Sequence, residues 1–86
     1  QASILDTFGY ICYLQNDYDS SIQAWEKAYR LNPTAKTGVR LARSLYMSGR
    51  IQEFDHIVKQ LQQNHPNDPE LKQLHSLLLS PQLKTS

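Results

Sequence analysis

The sequence predicts an all-α fold of two helix-turn-helix repeats followed by a C-terminal capping helix, and three observations carry that prediction. The chain matches itself at an offset of 33 residues, with bulky side chains falling on bulky ones and small on small. Apolar residues recur over five stretches at the period of a helix that buries one face. Each stretch is bounded by residues that start or stop helices, and no strand is expected.

The offset brings Phe8 onto Leu41, Gly9 onto Ala42, Cys12 onto Leu45, Tyr13 onto Tyr46, Asn16 onto Gly49 and Tyr18 onto Ile51. Further along it brings Trp25 onto Val58, Ala28 onto Leu61 and Pro33 onto Pro66. Three positions depart in size: Gly38 replaces Leu5, Phe54 replaces Ser21, and Leu61 replaces Ala28. The same offset carries Leu41 to Leu74, Leu45 to Leu78 and Tyr46 to Leu79, so a third copy begins after Pro66 and stops at Pro81, which cannot continue a helix interior.

The first helix, over 3–15, places Leu5, Phe8 and Cys12 on one face. The second, over 18–31, follows Asp17, whose carboxylate accepts from the free amides of the first turn, and is striped by Ile22, Trp25 and Tyr29. The third, over 35–48, is capped by Thr34 and ends at Gly49, which takes the left-handed conformation cheaply. The fourth, over 51–64, is striped by Ile51, Phe54, Ile57, Val58 and Leu61. The fifth, over 69–80 within a capping segment 68–80, has Asp68 as its cap and Pro69 at the first helical position, where a missing amide costs nothing. The chain thus divides into repeat one (2–34), repeat two (35–67), the capping helix and a tail (81–86), all within a single domain. Two antiparallel backbones approach closely only where a side chain is small, so Gly9 is expected to face Ser21, and Ala42 to face Phe54 with the second pair splayed or shifted. His75 fills the small-residue slot of the third copy, which suits a last helix carrying Lys72, Gln73 and Ser76 outward. Trp25 and Tyr18 are expected to be packing residues.

The run Leu5, Phe8-Gly9, Tyr18, Trp25, Ala28 and Pro33 resembles a tetratricopeptide repeat, a family whose pattern returns about every 34 residues. Cys12 departs at the first aromatic slot, Asn16 replaces the turn glycine, and Ser21 stands where alanine is usual. The resemblance covers nearly the whole chain and implies a right-handed α-α superhelix that presents a concave groove to a peptide or a segment of another protein. The opening Leu5-Asp6-Thr7-Phe8-Gly9-Tyr10 is also similar to the last repeats of large bacterial multi-repeat proteins, including those that accompany exopolysaccharide synthesis and export.

Composition narrows the function classes. In 86 residues, nine Lys and Arg against eight Asp and Glu leave a formal +1, so no overall field favours nucleic acid or an anionic membrane. No apolar run approaches the ~20 residues that cross a bilayer, so no direct membrane insertion is expected. A lone cysteine forms no internal disulfide, and Cys12 lies among apolar neighbours, which argues against a reactive nucleophile. His56, His65 and His75 sit on different elements at spacings unrelated to a metal site, and Asp17 with Asp19 lacks the glycine and distal glutamate of a calcium loop. Neither a phosphate loop nor a nucleophile turn is present, so no enzyme activity, metal or cofactor is expected. The first residue is Gln1, and the chain is expected to be a piece of a longer protein whose compartment, bacterial cytoplasm or periplasm and envelope, depends on the remainder.

The family resemblance places Ser3, Asp6, Tyr10 and Tyr13 of the first helix and Lys36, Val39, Arg43, Tyr46 and Met47 of the third in the groove, with Arg40 beside them. Spacing agrees, because Lys36, Arg40 and Arg43 recur at four and three residues, while Val39, Tyr46 and Met47 are expected away from the Leu41/Ala42/Leu45 core face. Tyrosine and arginine are over-represented at contact hot spots. The cationic strip reads either as a solvated face or as a receiver of acidic groups. Chaperone-binding members of the family hold a partner's C-terminal carboxylate in a clamp, and Lys36 and Arg40 resemble its lysine-arginine pair. Asp6 and Tyr10 stand where that clamp has lysine and asparagine, so carboxylate clamping is not expected, and Asp6 would repel it. The alternative to a groove binder is the end of a longer array, whose surfaces, Ile4 and Ile11 among them, serve intramolecular stacking or homodimer formation.

Overall fold

The computed structural model describes residues 2–74 and 76, and four helices follow one another in it: α1 (Ala2–Leu14), α2 (Tyr18–Leu31), α3 (Ala35–Met47) and α4 (Ile51–Asn64). A fifth, α5, runs over 69–74. The described residues contain no strand. α1 packs on α2, α2 on α3, and α3 on α4, which makes an all-α helical repeat of the expected kind. His75 and the end of the expected capping helix lie outside the described residues.

The repeat extends to individual backbone hydrogen bonds. At the end of α1 the Asp17 amide donates to the Cys12 carbonyl (2.9 Å) and the Asn16 amide to Tyr13 (3.0 Å). Thirty-three residues later the Arg50 amide donates to Leu45 (2.9 Å) and the Gly49 amide to Tyr46 (3.1 Å). This is the Schellman arrangement, and it requires a left-handed residue after the helix. Asn16 supplies it at φ 64° and Gly49 at φ 87°, so asparagine, among the side chains most tolerant of that region, replaces glycine without changing the turn. The Asn16 side chain is held in turn by the Tyr18 hydroxyl, which donates to its Oδ1 at 3.0 Å.

The caps follow the sequence where the residue types allow. Asp17 accepts from the Ser20 amide (3.3 Å), Thr34 from the Thr37 amide (3.2 Å) and Asp68 from the Leu71 amide (3.0 Å). α4 has no side-chain cap, because the position equivalent to Asp17 is Arg50. The Arg50 guanidinium instead donates across to Asp19 at 3.0 Å.

The core runs from Ile22 and Trp25 of α2, through Val39, Leu41, Ala42 and Leu45 of α3 and Phe54, Ile57, Val58 and Leu61 of α4, to Leu71 and Leu74 of α5. Tyr13 and Tyr29 pack against its edge. Close approach in the two hairpins is achieved at different positions. A β-carbon on Gly9 would lie 2.8 Å from Nε1 of Trp25, and one on Gly38 would run into the Leu61 side chain and lie 3.0 Å from Tyr29. Gly38 therefore leaves room for Leu61, at the two register positions where the first repeat carries Leu5 and Ala28.

Several expectations are refined or corrected. The atoms nearest a β-carbon on Gly9 belong to Trp25, and the Ser21 hydroxyl turns to the second repeat, donating to the Tyr18 carbonyl (2.9 Å) and sharing a buried hydrogen bond with the Ser44 hydroxyl of α3. Two small polar residues thus let α2 and α3 meet, a contact between repeats that within-hairpin reasoning does not reach. Phe8 is 53% exposed rather than core, and Ile51 also stands in solvent at the start of α4. Val39, expected away from the core face, is 3% exposed and belongs to the core.

Candidate functional site

Asp6, one turn into α1, is the hinge of the candidate site. Its Oδ1 accepts from Nε1 of Trp25 at 2.8 Å and its Oδ2 from Nη1 of Arg40, also at 2.8 Å. Trp25 Nε1 also reaches the Asp6 carbonyl at 3.1 Å. One carboxylate therefore ties α1 to α2 and α3. The indole needs such a partner, because Trp25 is 1% exposed and a buried N–H without an acceptor is costly. The Tyr10 ring, one turn further along α1, lies with its centroid 5.4 Å from the Arg40 guanidinium carbon, so Arg40 is held by a carboxylate and an aromatic face together.

Beside this network a hollow of about 320 Å³ opens between α1, α3 and α5. Tyr10 and Tyr13 come from α1, Val39, Arg40 and Arg43 from α3, and Glu70 and Gln73 from α5, with Trp25 behind. Tyr13 is fixed by two ring contacts, to Tyr18 at 5.5 Å and to Trp25 at 5.7 Å between centroids. The volume stands at the low end of the ~300–1,000 Å³ typical of ligand clefts, the scale of one inserted side chain rather than a large small molecule.

Of the residues the sequence nominates, Tyr10, Tyr13, Val39, Arg40 and Arg43 converge on this hollow and Asp6 anchors it. Ser3, Lys36, Tyr46 and Met47 do not line it. Tyr46 turns to Phe54, ring centroids 5.2 Å apart, and Lys36 and Met47 lie elsewhere on α3, Met47 exposed. Trp25, Glu70 and Gln73 complete the lining, and sequence reasoning does not nominate them. The repeat offset carries Arg40 onto Gln73, so that signal is present in the third copy; no comparable signal marks Glu70. Arg43 and Glu70 have no hydrogen-bond or ion-pair partner among the described residues, leaving one charge of each sign in the hollow.

Among the described residues, no group of three or more His, Cys, Asp or Glu side chains is placed to hold a metal ion. Cys12 is a buried free thiol. No described helix is long and apolar enough to cross a membrane.

No curated protein and no solved structure matches the chain. The family model for the tetratricopeptide repeat matches residues 13–78, about three quarters of the sequence. With paired helices, repeated turns and offset packing already in evidence, that match is decisive: the chain belongs to the tetratricopeptide-repeat family, whose members are protein-protein interaction modules.

Proposed function

We propose that this domain binds a segment of another protein in the groove between α1, α3 and α5, presenting a surface rather than carrying out a reaction. The observation that carries this reading is the convergence of Tyr10, Tyr13 and Arg43 on one hollow with a rigid floor of Trp25 and Val39. Aromatic and arginine side chains over a desolvated base are the composition of an interface hot spot. Family membership supports the same reading. Titration with a panel of short peptides, followed by backbone amide and tyrosine resonances, tests it. Shifts are expected at Tyr10, Tyr13, Arg43 and Gln73. Shifts confined to the second hollow, where Glu26, Gln52, Glu53 and His56 line the space between α2 and α4, would overturn it.

A second reading rests on a separate observation. Ile4, Phe8 and Ile11 form an exposed row at helical spacing along α1, whose only charged residue, Asp6, is engaged by Trp25 and Arg40. At the repeat offset their equivalents are Thr37, Leu41 and Ser44, all buried, and Ser44 is covered by Ser21 of α2. The row is therefore suited to a preceding helix of a longer array or to a second copy of this chain. The short likeness of Leu5–Tyr10 to bacterial exopolysaccharide-associated repeat proteins supports an array in a bacterial envelope setting. Light scattering across concentration separates the two: a mass that doubles supports self-association, and a constant monomer mass supports stacking within an array.

A further inference from the structure

The groove contains a guanidinium that is already occupied. Arg40 points one N–H at Asp6 Oδ2 (2.8 Å), and the other Asp6 oxygen is taken by Trp25 (2.8 Å). Both side chains of the ion pair are largely shielded, 31% exposed for Arg40 and 21% for Asp6, so solvent screens the pair less than a surface one. Tyr10 packs on the guanidinium and restricts its movement. A carboxylate arriving from a partner would have to displace Asp6, leaving Trp25 with only the Asp6 carbonyl, or else share one guanidinium with a second negative charge. What remains in the hollow is balanced, Arg43 against Glu70, above aromatic and aliphatic walls.

We infer that Asp6 is an internal occupant of the anion seat at Arg40, and that by filling it Asp6 sets the hollow to receive an uncharged aromatic or aliphatic side chain and to reject acidic side chains and terminal carboxylates. The inference rests on the groove reading for its partner, but the masked seat is a property of this chain alone. Asp6→Asn removes the internal acceptor with little change of shape, because the amide nitrogen that replaces Oδ2 can only donate and leaves the Arg40 guanidinium without its partner. The amide oxygen still accepts from Trp25, while the negative charge facing Arg40 is gone.

Two measurements test the inference. Host hexapeptides, acetylated and amidated and differing only in one central Phe, Leu, Gln or Glu, are titrated against the wild-type chain with amide shifts as the readout. The Phe and Leu peptides are expected to bind at least about fivefold more tightly than the Glu peptide. A Glu peptide that binds as tightly as the Phe peptide overturns the inference without any variant having to fold. Sodium acetate, balanced with sodium chloride at constant ionic strength, is then titrated against wild type and Asp6→Asn while Trp25 fluorescence is followed. The variant is expected to gain about tenfold in acetate affinity, and Arg40→Gln in the same background to remove the gain. If the wild type ranks the peptides as expected but Asp6→Asn gains nothing, the internal seat is refuted and the groove stands. If none of the peptides shifts Tyr10, Tyr13 or Arg43, the groove reading falls and takes the side-chain selection with it.

Discussion

Exchanging the sizes of Gly38 and Leu61 tests whether the two hairpins solve one packing problem in opposite ways. Leu61 is fully buried, and its truncation to alanine removes core volume at a cost of about 2–5 kcal/mol. That is a large share of the ~5–15 kcal/mol available to a domain. Gly38→Leu alone drives new atoms into the Leu61 side chain, with Tyr29 Cε1 closing another direction 3.0 Å from where the β-carbon would sit. Overpacking of this kind costs about 1–3 kcal/mol or more, partly offset by the ~1 kcal/mol of helix propensity gained on replacing glycine. The double variant, Gly38→Leu with Leu61→Ala, places at these positions the residue types that the first repeat has at Leu5 and Ala28. The larger side chain introduced on α3 then fills the space vacated on α4, and the net loss is expected within about 1.5 kcal/mol of wild type. The implied coupling is roughly 2–3 kcal/mol, the upper range for residues in direct contact. Urea denaturation of the four proteins, with midpoints and m-values compared, measures it. If the two single effects sum to the double effect within about 0.5 kcal/mol, the residues act independently and compensation is wrong.

Five further outcomes follow from other contacts. Trp25→Ala is expected to cost about 3–5 kcal/mol in thermal or urea unfolding, since it empties a fully buried aromatic position. Gly9→Ala gains helix propensity, yet its β-carbon would fall 2.8–2.9 Å from a rigid indole held by Asp6, so a net loss of about 1–2 kcal/mol is expected by the same assay. Asp6→Ala, which strips the ion pair and one acceptor from Trp25, is expected to cost about 1–2 kcal/mol; Asp19→Ala, breaking an exposed pair with Arg50 at 41% and 73% side-chain exposure, should change the midpoint by less than ~0.5 kcal/mol. Phe8→Ala is expected to cost under about 1 kcal/mol while Leu41→Ala costs about 2–5 kcal/mol, and equal costs would show that the two positions share one environment after all.

Much of the fold was legible because the signals are local and repeated. Asn16 and Gly49 occupy one register position and both take positive φ. Asp17, Thr34 and Asp68 are capping types in capping places, and each accepts the expected amide. The departures concern which residue of one helix meets which residue of the next. Periodicity identifies a buried face about 100° wide, but the rotation of that face against its neighbour decides that Trp25 lies nearest to Gly9. Val39 is buried for the same reason, on a face of α3 broader than Leu41, Ala42 and Leu45 alone mark out. The lining of the candidate hollow was legible in part, because Tyr10 and Arg43 share one register position and Arg40 lies one turn before Arg43. Its organising contact was harder to read. Asp6 and Arg40 lie 34 residues apart, one off the repeat offset, so the offset alone sets Asp6 beside Val39 rather than opposite the guanidinium.

Phe8 and Leu41 show most directly what a repeat sequence leaves undetermined. They are equivalent in register and similar in chemistry, yet one is 53% exposed and the other buried. Neither helix propensity nor hydrophobicity distinguishes them. The difference lies in their neighbours: α2 precedes and packs on α3, covering Ser44 with Ser21, whereas no described helix precedes α1. In a stacked array each unit is completed by the adjoining one, so burial belongs to the interface between repeats as much as to the repeat itself. The row Ile4, Phe8 and Ile11 is thus written in the same register as Thr37, Leu41 and Ser44, but Ile11 is far bulkier than Ser44. Any helix that covered α1 would therefore need a smaller residue than Ser21 at that crossing, or a wider separation than the one between α2 and α3.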